Sequence, residues 1–457
     1  MTKSFTKFAK IGIPIVYIFY WISISTSPHD LENLNFKNIF SLINAFRISV
    51  PLVFSILIPL LIVYIVYVKK FKFTYKISLS KIFFLSLILY FLLQYIGLYY
   101  NNLINFELHF FFLINLSLGS LTTLLLINLS NSKNLIHERL MIVSISILSV
   151  ACIFMLIKLF QNYNLSDHIY LYYSVNLDDT LFDKTFPRVT GVARSLSLLA
   201  VLLLLSIIFI KKNKSILSIE FLIFFSLSFI IWGIQSRGAI LCFSFSTIFL
   251  IFFIKSNIQV KFFRILVFII LPIFVFEIFK NHLIDKNIKI NFDETIIEEK
   301  EKLDIKLKRL ASNRFNAQKG TSGRIKLWKI SLEKYDKKKL FGYGPQADRL
   351  LISKDLSVQY GNNVSNGFIY AFLCSGYLGL LSFVILNILL FYSIIVMVFK
   401  KRIFQHKKKI LEKIATIYLV FFGLRDFFEN SYAVFSIDFL IVSLSSLIVI
   451  SYIERTT

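Results

Sequence analysis

The chain is poor in cysteine and in charge. Cys152, Cys242 and Cys374 are an odd set, each inside an apolar run, which excludes a secreted disulfide scaffold. No Cys-x-x-Cys occurs and the six histidines are scattered, so the spacing of a conventional zinc site is missing and no metal is expected. Only 17% of residues are charged. No internal repeat is visible, and that counts against a carrier built from two similar halves.

Apolar side chains fill the space instead. They make up 56% of 457 residues, and mean hydropathy is +0.71, more than a soluble domain of this length can hide. Twelve helical spans of about 20 residues each would absorb nearly all of them. The fold class that follows is an all-α polytopic membrane protein with about twelve transmembrane helices. The 51 phenylalanines, with abundant Ile, Lys and Asn, read as compositional drift and carry no mechanistic weight.

Apolar runs predict spans at Ile11–Ser27, Ile48–Val68, Ile82–Tyr100, Phe110–Leu129, Leu140–Phe160 and Ala193–Ile210, then at Ile219–Ile234, Gly238–Ile254, Phe262–Phe279, Gly379–Phe399, Ile410–Leu424 and Phe435–Tyr452. With eleven spans after it, the first is expected to be a retained helix rather than a signal peptide.

The net charge of +25 would suggest nucleic acid in a soluble protein, but its placement argues otherwise. Alternate short loops are basic: Lys69 to Lys81, Lys211 to Lys214 and Lys400 to Lys413. These belong in the cytoplasm, which puts both termini there. One long segment then lies outside, and no nucleic-acid partner is expected. The organisation is residues 1–279 with nine spans, a large periplasmic loop over 280–366 with short helices, and 367–457 with a half-helix and spans ten to twelve.

The long loop carries 19 Lys and Arg against 11 Asp and Glu, which suggests an anionic ligand outside. Within it, Asp293 to Phe315 reads as a charged helical stretch with Ile296, Leu303, Leu307 and Leu310 on one face. Ser322 reads as the N-cap of a second helix whose apolar face is Ile325, Trp328, Leu332 and Tyr335. Gly342-Tyr343-Gly344-Pro345 reads as a turn.

Arg188, Arg237 and Arg425 lie at or near span ends, where an unpaired guanidinium needs a partner or a water-filled cavity. Each has a bland explanation, such as Arg425 pairing with Glu429 at helical spacing. Three on one side, beside a basic loop, point to an anion site, because a guanidinium fork suits phosphate oxygens.

The residues then resemble a family, the O-antigen ligase and polymerase superfamily of bacterial envelope glycan assembly. The resemblance is carried by Arg188-x-x-Gly191, Ser236-Arg237, Ser322-Gly323-Arg324 through Trp328, Phe341-Gly342-Tyr343-Gly344, and Asn366 followed nine residues later by Gly376-x-x-Gly379. It covers Pro187 to Glu429 in consistent order. It implies a GT-C-like enzyme that moves a glycan from undecaprenyl diphosphate to an acceptor hydroxyl, without a cofactor. The acceptor is a growing glycan in a polymerase and lipid A core in a ligase, and a chain-length regulator is a further partner the resemblance allows. In the ligases a histidine commonly precedes the Asn, whereas Ser365 stands here, and a hydroxyl is no general base near neutral pH. That shifts the expectation toward a polymerase.

On this reading Arg188, Arg237, Arg324 and Arg425 bind the diphosphate, whose departure builds negative charge on oxygen. Glu429, Asp426 and Ser365 are the catalytic candidates. Trp328, Tyr343, Asn366 and Tyr370 are the sugar-binding candidates. Gly376 and Gly379 permit a bend from the half-helix into span ten. Glu277 is expected to pair with a basic residue of the long loop. The reading from another class is a flippase or transporter of lipid-linked glycans.

Overall fold

The computed structural model describes residues 78–100, 134–162, 190–209, 218–234, 236–253, 257–293, 324–335, 340–348, 364, 366–399, 409–432 and 437–456, with scattered positions between 109 and 123. The spans expected at Ile11–Ser27 and Ile48–Val68 lie outside these residues, as does the charged stretch beyond Asp293.

The described residues are helical, without strands. In chain order the helices are α1 (Leu79–Tyr99), α2 (Asn134–Asn162), α3 (Thr190–Phe209), α4 (Ile219–Ile234), α5 (Arg237–Phe253), α6 (Ile258–Ile265), α7 (Leu271–Asp293), α8 (Arg324–Glu333), α9 (Gly367–Phe399), α10 (Ile410–Arg425) and α11 (Ile437–Thr456). Five stretches are long and apolar enough to cross a membrane: Leu79–Tyr99, Val192–Phe209, Ile258–Leu283, Gly367–Phe399 and Asp438–Thr456. Helices α4 and α5 are apolar but shorter. The chain is a multi-pass membrane protein.

Two compact units emerge, one from residues 1–147 with 326–457 and the other from 148–325. In the first, α1 packs along α9, α10 along α11, and α9 and α11 close the bundle. Aromatic side chains fill it: Phe91 meets Phe439 edge-on with ring centres 5.4 Å apart, and Tyr90 meets Phe383 at 5.7 Å. Polar ties fasten helix ends. The N–H and hydroxyl of Ser80 donate to Glu454 at 2.7 and 3.1 Å, joining the start of α1 to the end of α11. Lys409 donates to the Tyr452 hydroxyl at 2.6 Å and lies over its ring.

In the second unit α3 packs on α4 and α5, and α7 on α4. Between α6 and α7 a single π-helical turn, Leu266–Ile270, lets three successive residues, Val267, Phe268 and Ile269, all be buried. Pro272 follows and has no N–H for the carbonyl of Phe268, which accounts for the irregularity. Phe268 wedges between Phe221 and Phe224 of α4 at 5.9 and 5.4 Å. Phenylalanine, set aside in the sequence, is thus a main filler between helices here. Helix α7 also runs past the expected end at Phe279 to Asp293, and Glu277 pairs with Lys280 one turn on.

Candidate functional site

The site elements of the first unit meet around the break in α9. Gly376 interrupts that helix with φ 68° and ψ −163°, a conformation only glycine adopts readily. The half-helix before the break therefore ends with carbonyls that lack intrahelical donors. The loop at 341–345 supplies them: the Tyr343 N–H donates to the Leu373 carbonyl and the Gly344 N–H to that of Cys374, both at 2.9 Å. The Gly-Tyr-Gly segment is therefore a turn that also caps a helix distant in sequence. The two backbones nearly touch, for a Cβ on Gly342 would lie 2.5 Å from the carbonyl carbon of Cys374. Gly379 has a different use from the one expected, since a Cβ there would collide with the Ser375 side chain.

At its other end the half-helix is capped by Asn366. Its Oδ1 accepts from the N–H groups of Phe368 and Ile369 at 3.0 Å, the geometry of an Asn N-cap. Its Nδ2 donates to the Phe427 carbonyl at 3.2 Å, and the Gly367 N–H donates to the Asp426 carbonyl at 2.8 Å. The half-helix is thereby pinned to the turn after α10. Both ends of the Asn366 amide are occupied by backbone, so its geometry is that of a positioning residue. Asn366→Ala is expected to cost about 1–2 kcal/mol through the lost cap, seen as a lower unfolding midpoint in detergent.

Beneath the loop is a small core. Tyr335, Tyr343, Val364, Tyr370 and Leu373 are buried together, with Trp328 packed against them. Trp328 Nε1 donates to the Val364 carbonyl at 2.6 Å, and the Tyr370 hydroxyl accepts from the Gln346 N–H at 3.2 Å. Tyr343 and Tyr370 therefore face this core. Asp348, not singled out in the sequence, is buried and accepts from the Val364 N–H at 3.0 Å. The inward face of α8 is Trp328, Ser331 and Tyr335, whereas Ile325 and Leu332 are exposed. This corrects the expected apolar face, in which Ile325 and Leu332 were to point inward and Ser331 was not counted.

The turn after α10 holds the charges. Arg425 is buried and pairs with both Glu429 and Asp438. The Glu429 pairing follows from helical spacing, and Asp438 is the addition. Two carboxylates already match the one guanidinium. Asp426 is wholly buried, and its Oδ1 accepts from the Ser431 N–H at 2.8 Å. Burial pushes its carboxyl up to about 7 from 3.8, opposed by the Ser431 hydrogen bonds and Arg425 and reinforced by Asp438.

This has a consequence for stability. The folded pKa exceeds the unfolded one, so the contribution of Asp426 is full below about 4 and is lost as pH rises through about 7. Asp426→Asn keeps the shape without the charge. It is expected to raise the unfolding midpoint at pH 8, to raise it less near pH 5, and to leave it unchanged below about 4. An equal shift at all three contradicts the assignment.

Of the remaining candidates, Arg237 is exposed and opens α5 in the second unit, within an otherwise apolar pair of helices. Arg324 is the first residue of α8. Arg188 and Ser365 lie outside the described residues. Among the described residues no group of three or more His, Cys, Asp or Glu is placed to hold a metal ion.

Residues 221–384 match the family model described as O-antigen ligase. Over that stretch the chain is similar to the O-antigen ligase family. The matched stretch runs from α4 into the second half of α9 and takes in Arg237, Arg324, Trp328, Tyr343, Asn366 and Tyr370, the Gly-Tyr-Gly cap and the Gly376 break. Arg425, Asp426 and Glu429 follow it in the chain. The match supports the O-antigen ligase/polymerase superfamily, and with it a glycosyl-transferring membrane enzyme that acts on lipid-linked glycan and an acceptor. No curated protein matches the chain.

Proposed function

We propose that this enzyme polymerises oligosaccharide repeat units carried on undecaprenyl diphosphate at the periplasmic face of the bacterial inner membrane. The observation that carries the reading is Arg237, an exposed guanidinium at the first turn of an apolar helix inside the stretch similar to the ligase family. An arginine there, at the positive end of the helix dipole, suits the oxygens of a diphosphate.

Arg188, Arg237 and Arg324 form the diphosphate clamp. The acceptor hydroxyl attacks the anomeric carbon, the bond to the diphosphate oxygen breaks, and that oxygen leaves with the electron pair. Guanidinium groups stabilise its growing charge. Arg425 is matched by Glu429 and Asp438 and orients these carboxylates. Asp426 is wholly buried, so of the two candidate carboxylates the partly exposed Glu429 is the one that takes the proton the acceptor loses. The half-helix and the capped loop cover the reacting sugar and limit hydrolysis.

Polymerase, ligase and flippase differ in what their loss leaves behind. Deletion of a polymerase gene is expected to leave single repeat units on the lipid core. Loss of a ligase leaves long glycan stranded on the carrier, and loss of a flippase traps single units inside. A gel of envelope glycans separates the three. Complementation with Arg237→Ala, expressed at wild-type level, is expected to reproduce the deletion pattern, and wild-type polymer from that strain removes Arg237 from the clamp.

A further inference from the structure

In the second unit, α6 carries its apolar residues outward and its charges inward. Ile258, Val260, Phe262 and Phe263, with Leu266 just beyond the helix, are exposed. The partly covered residues are Lys261, Arg264 and Ile265. Their spacing of three and four puts them on one face, which runs on into the buried Phe268 of the π-helical turn. Lys261 Nζ donates to the Phe252 carbonyl at 2.8 Å and lies 5.7 Å from the centre of the Phe252 ring, which ties this face to the end of α5. Arg264 is the next cation along it. Its Nη1 is buried without a hydrogen-bond partner, while the residue as a whole keeps an open side. Among the described residues no carboxylate is paired with either cation.

Helix α6 opens the stretch Ile258–Leu283, which is long and apolar enough to cross a membrane. Arg264 lies about 10 Å along the axis from Asn257, within reach of the headgroup region. Cations at such a depth ordinarily snorkel outward to water, whereas these two turn toward the protein. A guanidinium partly withdrawn from water is costly without a counter-charge. Lys261 also has two further N–H donors once the Phe252 carbonyl is served. Beside it α5 presents an exposed apolar stripe, Leu241, Phe245 and Phe252, spaced four and seven apart and leading away from the cations.

We propose that Lys261 and Arg264 hold the phosphodiester of an anionic membrane phospholipid whose acyl chains lie along Leu241, Phe245 and Phe252. Two positive charges match a headgroup of net negative charge, and the open side of the guanidinium fork takes its oxygens in paired hydrogen bonds. The lipid supplies the counter-charge that the protein does not, at the junction between α5 and α6. Phe252 lies about 22 Å along α5 from Arg237. The site is therefore separate from the diphosphate clamp and stands whether or not the glycosyl-transfer reading does.

Full-length protein in nanodiscs of phosphatidylcholine, alone or mixed with phosphatidylglycerol, tests this by thermal unfolding and by native mass spectrometry of the lipids that stay bound. Native protein is expected to retain phosphatidylglycerol about tenfold better than phosphatidylcholine and to unfold at a higher midpoint when it is present. Lys261→Gln/Arg264→Gln loses both effects. Arg264→Lys keeps part of them, because the charge remains without the fork. Lys329→Gln, which removes an exposed charge of α8 in the other unit, keeps them whole. Arg264→Met separates binding from folding: freed of an uncompensated charge, it unfolds no earlier than native protein in phosphatidylcholine alone, yet gains nothing from phosphatidylglycerol. Equal retention of the two lipids by native protein overturns the site, as does stabilisation by phosphatidylglycerol that survives in Arg264→Met. Equal stabilisation by inorganic phosphate in phosphatidylcholine nanodiscs also overturns it, by giving the cations to a free anion.

Discussion

Replacing Gly376 with alanine is expected to leave no folded protein to purify. The residue has φ 68° and ψ −163°, where a side chain is strained whatever the surroundings. Here the surroundings are also closed: a Cβ would stand 1.9 Å from the carbonyl oxygen of Leu340, and that oxygen belongs to backbone. Relieving the clash would draw the 340–344 loop away from the half-helix and leave the Leu373 and Cys374 carbonyls without their donors. Strain, overlap and lost caps together are put at about 4 kcal/mol or more, a large share of a typical fold's stability. Gly423→Ala is the matched control, because its nearest neighbour, at 2.9 Å, is a leucine methyl that can move. It is expected to cost about 1–3 kcal/mol. Size-exclusion profiles in detergent, followed by thermal unfolding, distinguish the two. A monodisperse Gly376→Ala protein would contradict the described break.

Arg425→Ala is the second large effect. Asp438 is fully buried and loses a charged partner, and Glu429 loses its own. Removing one member of a buried pair costs about 3–5 kcal/mol, because the other charge remains without compensation. The double variant Arg425→Ala/Asp438→Asn is therefore expected to recover much of the loss, and a double-mutant cycle measures the coupling. Lysine at 425 should fall between, since a point charge replaces a planar fork that reaches two carboxylates. The cycle also guards against a false inference. A missing polymer in Arg425→Ala alone reports a damaged turn, whereas a stable double variant without activity reports a role in transfer.

Much of the fold was legible as apolar runs. The span expected at Ile219–Ile234 matches α4 residue for residue, and that at Gly238–Ile254 matches α5 to one residue at each end. The half-helix before Gly376 was implied by the family resemblance that Asn366, Gly376 and Gly379 carry. The end of α7 was missed because Lys280, His282 and Asp285 look like loop once apolar residues thin out, although a helix needs no membrane to continue. The inner face of α8 was missed because periodicity favoured large apolar residues, while the small polar Ser331 is buried there.

The site divides along the same line. Arg425 and Glu429 are four residues apart and could be paired by counting. Asp438 lies thirteen residues on, across a turn, and only tertiary packing brings it to the guanidinium. The complete burial of Asp426 had no local signal at all. Nor did the second use of the Gly-Tyr-Gly segment, which appears once its N–H groups are traced to their acceptors.

The most direct measurement is a reconstituted reaction. Purified enzyme in nanodiscs is given repeat units on undecaprenyl diphosphate, and products are resolved by length. A ladder of extended glycan with stoichiometric release of undecaprenyl diphosphate is the expected result, lost in folded Arg188→Ala and Arg237→Ala variants. A wild-type ladder from both folded variants, or no ladder from the native enzyme, would contradict a guanidinium-assisted polymerase.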